Sequence, residues 1–249
     1  MKGMKTTIAA VAALLVAGAA QADPVKVGMI TTLSGGGAGL GIDARDGFML
    51  AVKQANNPEL EVVIEDDQRK PDVAVQLADK LIQQEKVDVL TGIIWSNLAM
   101  AVVPSAVAQD KLYLSVNAAP SQLAGKGCNK NYFAVSYQND NLHEAAGGYA
   151  STEGYKNTFI LAPNYPAGKD ALAGFKRFYK GNVSAEVYTK LGQVDYAAEI
   201  ANLRAAKPDA VFFFLPGGMG VNFVKQYAQS GMSKAVPLFG PAFSFDEGI

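Results

Sequence analysis

A single histidine and a single cysteine bound the chemistry open to this chain. Cys- or His-rich metal sites are excluded, and no disulfide can close within the 249 residues. His143 is followed by Glu144, but Gly147 stands where the zinc-protease pattern H-E-x-x-H needs its second histidine. The lone imidazole therefore reads as a surface or packing residue rather than a general base. No G-x-S-x-G elbow and no S-x-x-K occurs, so two common serine-nucleophile signatures are missing. Asp66 and Asp67 invite comparison with an acid/base pair. Neighbours on an extended strand point to opposite faces, however, which favours a loop or capping role. The run Ser34 to Gly41 (SGGGAGLG) fits neither G-x-G-x-x-G nor a phosphate loop ending in Gly-Lys-Ser/Thr. It reads as a flexible turn that lets backbone approach a ligand or a partner lobe. Cys128 is either a reactive thiol or a cysteine whose partner lies outside this sequence. No constellation for catalysis emerges, and no cofactor is implied.

Binding is the alternative, and composition narrows the partner. Lys plus Arg number 22 and Asp plus Glu 23, so the chain lacks the basic excess that a nucleic-acid binder uses to displace counterions. With 49% apolar and 18% charged residues it has material for a core, and its length suits one or two domains. Lys2 and Lys5 precede an unbroken run of apolar and small residues, Ile8 to Ala20, and then Ala20-Gln21-Ala22. That three-part pattern predicts a secretory signal over residues 1–22, too short in its apolar part to span a bilayer, and hence an exported protein.

The elements that must position a site alternate. Strands are predicted at 25–31, 60–64, 87–90, 112–116, 158–162, 183–189, 210–215 and from 237. Helices are predicted at 42–56, after Pro71, at 97–109, 141–153, 167–179, 196–206 and around Val221, Val224 and Ala228. Behind Pro71, the residues Ala74, Leu77, Ala78, Leu81 and Ile82 form an apolar helical stripe. Strand–helix alternation specifies an α/β fold with parallel sheets. In such sheets ligands bind beyond the carboxyl ends of the strands, where helix starts offer free N–H groups to anions. The search narrows to the loops at 32–42, 65–70, 92–97, 117–123, 163–168, 216–220 and 240 onward.

The segments VKVGMITTLSGGGAGLGIDARDGFMLAV (25–52), EDDQRKPDVAVQLADKLI (65–82), GIIWSNLAMAVVPSA (92–106), LSVNAAPSQLAG (114–125) and PNYPAGKD (163–170), in this order and spacing, resemble a known family. The chain is similar to type I periplasmic substrate-binding proteins of ABC importers, in the branched-chain amino-acid-binding superfamily. The resemblance implies two Rossmann-like lobes, over 23–135 and 136–249, that close on a small carboxylate-bearing molecule in the periplasm. It also implies a monomer that delivers this ligand to an inner-membrane permease. Ser96, with Trp95 beside it, matches the family's carboxylate-binding serine, and Asn117, Ala118 and Ala119 its backbone contacts. A plain helix-capping serine is the other reading of Ser96. Tyr165 matches a second-lobe aromatic, or else is a core or turn tyrosine. Gln138 lies at the first interlobe crossover, and Pro216, Gly217 and Ala242 fall where further contacts occur.

The chain departs from the family in two places. Gly240-Pro241-Ala242-Phe243 carries no acid where amino-acid binders place one to pair an ammonium, and the next is Asp246. That favours an aromatic or aliphatic carboxylate over an α-amino acid. The family also continues past residue 249, so the resemblance implies a chain lacking its C-terminal part, with apolar first-lobe surface left uncovered and poor solubility. An exported amidase or esterase, or a receptor's sensor domain, are the competing expectations.

Overall fold

The computed structural model describes residues 24–241 and 244–245; the leader assigned to 1–22 lies outside them. The chain opens with β1 (Val25–Thr31), a 3₁₀ turn at Gly35–Gly37, α1 (Ala38–Ala55), β2 (Leu60–Asp66) and α2 (Pro71–Gln83). It continues with β3 (Val89–Thr91), α3 (Ser96–Ala108), β4 (Leu112–Ser115), α4 (Ser121–Ala124) and β5 (Tyr132–Ala134). After a crossover come α5 (Asn139–Thr152), β6 (Asn157–Pro163), α6 (Pro166–Phe178), β7 (Asn182–Thr189) and α7 (Ala197–Ala206). Then follow β8 (Ala210–Phe213), α8 (Gly218–Gln229) and β9 (Leu238–Phe239). The strands form two sheets, ordered β2-β1-β3-β4-β5 and β7-β6-β8-β9, parallel throughout. The fold is thus α/β with two Rossmann-like lobes. In both sheets the first strand of the lobe lies between its second and third, which brings the loops after the first and third strands to the same end.

Core formation follows from the sequence pattern. The α2 stripe buries Ala74, Ala78, Leu81 and Ile82 against the first sheet. Burying a leucine or isoleucine of this kind contributes about 1.5–3 kcal/mol. In the second sheet β8 is buried along its whole length, and Phe212 stacks on Phe175 of α6 at 4.6 Å between ring centres. Helices α5 and α6 approach closely because glycines face backbone. A Cβ on Gly147 would lie 2.1 Å from the Phe175 carbonyl oxygen, and one on Gly174 2.5 Å from that of Asp140.

Three elements differ from the expectation. α1 begins at Ala38, inside the glycine run, rather than at Ile42. Packing overrides propensity there: a Cβ on Gly41 would sit 1.9 Å from the Thr32 carbonyl oxygen, so the missing side chain is what lets the helix start against the end of β1. α4 has only four residues, too few to show a helical period. β5 is a three-residue edge strand whose Phe133 is half exposed, so it has no buried alternation to read.

Candidate binding cleft

A cavity of about 320 Å³ lies between the lobes, at the carboxyl ends of the strands. It is lined by Leu40, Ile94, Trp95, Ser96, Asn117, Ser136, Tyr137, Asn139, Leu142, His143, Tyr165, Ala167, Phe214, Leu215, Pro216, Gly217, Val221 and Ser244. Four helices begin at its wall. Ser96 and Asn139 are the first residues of α3 and α5, and Tyr165 and Gly217 the N-cap residues of α6 and α8. The N–H groups of a helix's first turn lack intrahelical partners, so this geometry suits an anion. Gly217 adopts φ 62°, ψ −141°, a backbone conformation that favours glycine.

Ser96 is buried, and it is not the cap of α3, since that position belongs to Trp95. Its Oγ accepts a hydrogen bond from Asn139 Nδ2 at 3.0 Å. With the oxygen occupied as an acceptor, the hydroxyl proton is free to be donated into the cavity. The arrangement presents a hydrogen-bond donor to the cavity. Asn139 is itself fixed: its Nδ2 also donates to Asp170 of α6 at 3.2 Å, and its Oδ1 accepts from Ala119 N–H. Asp170 in turn accepts from the N–H and the hydroxyl of Ser121, at 2.9 and 2.6 Å. One network therefore ties α4 of the first lobe, α6 of the second and the cleft serine.

The walls are aromatic. Tyr165 lies 6.3 Å from Trp95 and stacks nearly parallel to Phe214 at 6.4 Å, and His143 meets Phe214 edge-on at 4.9 Å. Trp95 is braced from behind, its Nε1 donating to Thr32 Oγ1 and Thr32 donating to Asp67. The Arg69 guanidinium covers the Trp95 ring at 5.4 Å. Arg69 also reaches the second lobe, where a Cβ on Gly192 would lie 2.7 Å from its Nη2. The glycine turn does bring backbone to the partner lobe: Cβ atoms on Gly217 and Gly218 would lie 3.4 and 3.2 Å from the Gly36 carbonyl oxygen. Asp66 and Asp67 hold their own loop, accepting from the N–H groups of Leu33, Gln68 and Arg69.

Of the residues singled out from sequence, Trp95, Ser96, Asn117, Tyr165, Pro216 and Gly217 line the cavity. Ala118 and Ala119 do not. The Ala118 carbonyl accepts from Ser115 and from the Tyr132 hydroxyl, and the N–H and carbonyl of Ala119 both pair with Asn139. Gln138 points its amide at Asp140 as the N-cap of α5, and its neighbour Asn139 faces the cavity instead. Ala242 lies outside the described residues. Cys128 is exposed and unpaired.

His143 is buried rather than superficial. Burial pushes its pKa down to about 3, against a smaller upward pull from the Asp140 carboxylate, which is itself paired with Arg177. Phe212 of β8 and Phe214 just beyond it meet the imidazole edge-on. The folded imidazole is thus neutral, whereas the unfolded chain takes up a proton below the ordinary histidine value of 6.5. The unfolded state then binds more protons, so stability falls as pH drops from about 6.5 towards 3, by up to roughly tenfold in the folding constant per pH unit. Urea titrations at neutral pH and near pH 4.5 should show this component in the natural protein and its loss in His143→Phe.

Residues 24–249 match the profile of the family described as periplasmic binding protein. A Leu/Ile/Val-binding protein homolog 6 from Brucella melitensis is 29% identical over 97% of this chain and 64% of that protein. The chain thus spans about two thirds of the length of the curated relative it matches. A solute-binding protein of an ABC transporter from R. palustris, solved with benzoate, superposes with a TM-score of 0.86 at 31% identity over 90% of this chain and 64% of that one. Another, from Rhodopseudomonas palustris BisB5 with 3,4-dihydroxybenzoic acid, gives 0.83 at 30% identity over 89% and 63%.

Proposed function

The chain belongs to the periplasmic binding protein family, and from that premise we propose that it is the solute-binding component of an ABC importer, capturing an aromatic carboxylate. It is exported by the leader at 1–22, and its two lobes divide near residues 135 and 136. The ligand sits between them, and the closed pair docks on an inner-membrane permease. No bond chemistry is required of it.

The observation that carries this reading is the lining of the cavity. Aromatic rings wall it, a serine hydroxyl and four helix starts face it, and among the described residues no charged side chain borders it. A carboxylate finds donors there, and a ring finds Tyr165, Trp95 and Phe214. An α-amino acid would bring an ammonium group for which the described lining offers no carboxylate. The benzoate and dihydroxybenzoate found in the similar R. palustris proteins support the same class.

A thermal-shift screen against benzoates and branched-chain amino acids tests the proposal. A benzoate at about 100 times its dissociation constant stabilises by about 2.7 kcal/mol, which raises Tm by roughly 5–10 °C for a chain of this size. A shift with leucine and none with any aromatic acid would refute it. Ser96→Ala removes a hydrogen bond to a charged group, and affinity should fall by roughly 10- to 100-fold in calorimetry. Unchanged affinity would leave Ser96 a structural residue.

A further inference from the structure

Arg69 lies outside the cavity and plays no part in the anion-binding arrangement around Ser96. It follows β2 in the first lobe, where Gln68 and Arg69 take consecutive left-handed conformations, φ 52° and 58°. Such backbone disfavours any residue with a side chain, and it persists only where its surroundings impose it. Here the carboxylates of Asp66 and Asp67 impose it, accepting from the N–H groups of Gln68 and Arg69 at 2.9 and 2.8 Å. Asp67 also accepts from Thr32, which braces Trp95, so one buried group sets both the arginine and the ring it covers.

The side chain then runs to the second lobe. Its guanidinium carbon lies 5.4 Å from the centre of the Trp95 ring, and its Nη2 packs against Gly192 in the turn after β7. Gly192 has φ 86°, and a Cβ there would fall 2.7 Å from Nη2, so the glycine makes room for the guanidinium. The Gly192 N–H donates to the Met219 sulfur at 3.1 Å. Met219 is the second residue of α8, whose N-cap Gly217 lines the cavity. Half-buried, the guanidinium makes no ion pair and no hydrogen bond among the described residues. Its position therefore rests on Trp95 of one lobe and Gly192 of the other. The contact with Gly192 exists only while the lobes are together, and parted lobes return the guanidinium to water.

Resting on the reading of the cleft as a ligand site closed between two lobes, we propose that Arg69 is a latch for the closed state. It is a positioning residue: it never touches the ligand, and it ties the first lobe's ring wall to the second lobe's α8 start. A ligand seated against Trp95 keeps the ring where the latch needs it. Escape requires the guanidinium to leave Gly192, so Arg69 sets the rate of release more than the rate of capture. A cation–π contact taken out of water is strong enough for that role, and a lysine, without the flat guanidinium, makes a weaker one.

Stopped-flow fluorescence of Trp95, the only tryptophan in the chain, reads the test with benzoate as ligand. Arg69→Ala should speed benzoate release about three- to thirtyfold, the scale of one cation–π contact, and leave its capture rate within about twofold. Arg69→Lys should fall between the natural protein and Arg69→Ala. Gly192→Ala should also speed release, because the new methyl displaces Nη2. In the Arg69→Ala background the same glycine change should have no further effect, whereas a strained turn alone would add its cost in full. Unchanged release in Arg69→Ala, or strictly additive effects in the pair, would overturn the latch while leaving the ligand site standing. Should Arg69→Ala fail to fold, Arg69→Lys takes its place in the cycle: a reduced effect of the glycine change supports the latch, and full additivity refutes it. If the natural protein binds no benzoate, the aromatic-carboxylate reading falls, and acrylamide quenching of Trp95 in the ligand-free chain decides the latch separately. Quenching that rises in Gly192→Ala supports it, and quenching that stays level refutes it.

Discussion

Gly168→Ala is expected to lower the melting temperature by roughly 10 °C, from a loss of about 3 kcal/mol or more. Gly168 is the third residue of α6, and a Cβ there would lie 1.8 Å from the Pro163 carbonyl oxygen and 2.9 Å from its carbon. That carbonyl belongs to the last residue of β6, which pairs with Thr189 of β7. Neither side can retreat: moving the carbonyl breaks its 2.9 Å hydrogen bond from the Tyr165 N–H, and moving α6 pulls Tyr165 and Ala167 from the cleft wall. Gly148→Ala, on α5 with nothing within 4 Å of the added carbon, is the control. It should stabilise by about 0.5–1 kcal/mol through helix propensity alone. Equal effects from both substitutions would show that the close approach at Gly168 has no energetic weight.

Asp170→Ala should have the other large effect, on stability and binding together. The carboxylate is buried and accepts three hydrogen bonds, two from Ser121 and one from Asn139. Removing it strands a backbone N–H, a hydroxyl and an amide donor, at a cost of about 3 kcal/mol or more. Asparagine should rescue in part, because its Oδ1 can accept from the Ser121 N–H and Asn139 while the Ser121 hydroxyl turns to accept from its NH₂. Since Asn139 also orients the Ser96 hydroxyl, the ligand should bind more weakly as well. Urea titration and calorimetry on Asp170→Ala, Ser121→Ala and the double variant give the coupling. Strictly additive losses would mean that the contact does not link the lobes to the serine.

Much of this architecture is legible in the amino-acid order. The strand–helix alternation, the α2 stripe and the helix start at Pro71 are local signals that narrow the site to the loops beyond the strands, and the family resemblance supplies the residues among them. What escapes is set by distant partners. Ala118 is withdrawn from the cavity by Tyr132, on an edge strand that has no periodicity of its own. Gln138 fails by one residue, because a single step at a helix start turns the side chain by roughly 100°. His143 carries no motif, and its burial depends on α5 lying over Phe212 and Phe214. Its four-residue spacing from Asn139 is the one trace of its position in the sequence.

The convergence of four helix starts on a cavity without charged lining, among the described residues, has a consequence for the solvent. Positive potential there comes from aligned peptide dipoles inside the protein rather than from lysine or arginine at a wet surface. Mobile ions that screen surface charge over about 8–10 Å have no access to a closed cleft. Capture of an anion would then be insulated from ionic strength, with an affinity that stays level as salt is added.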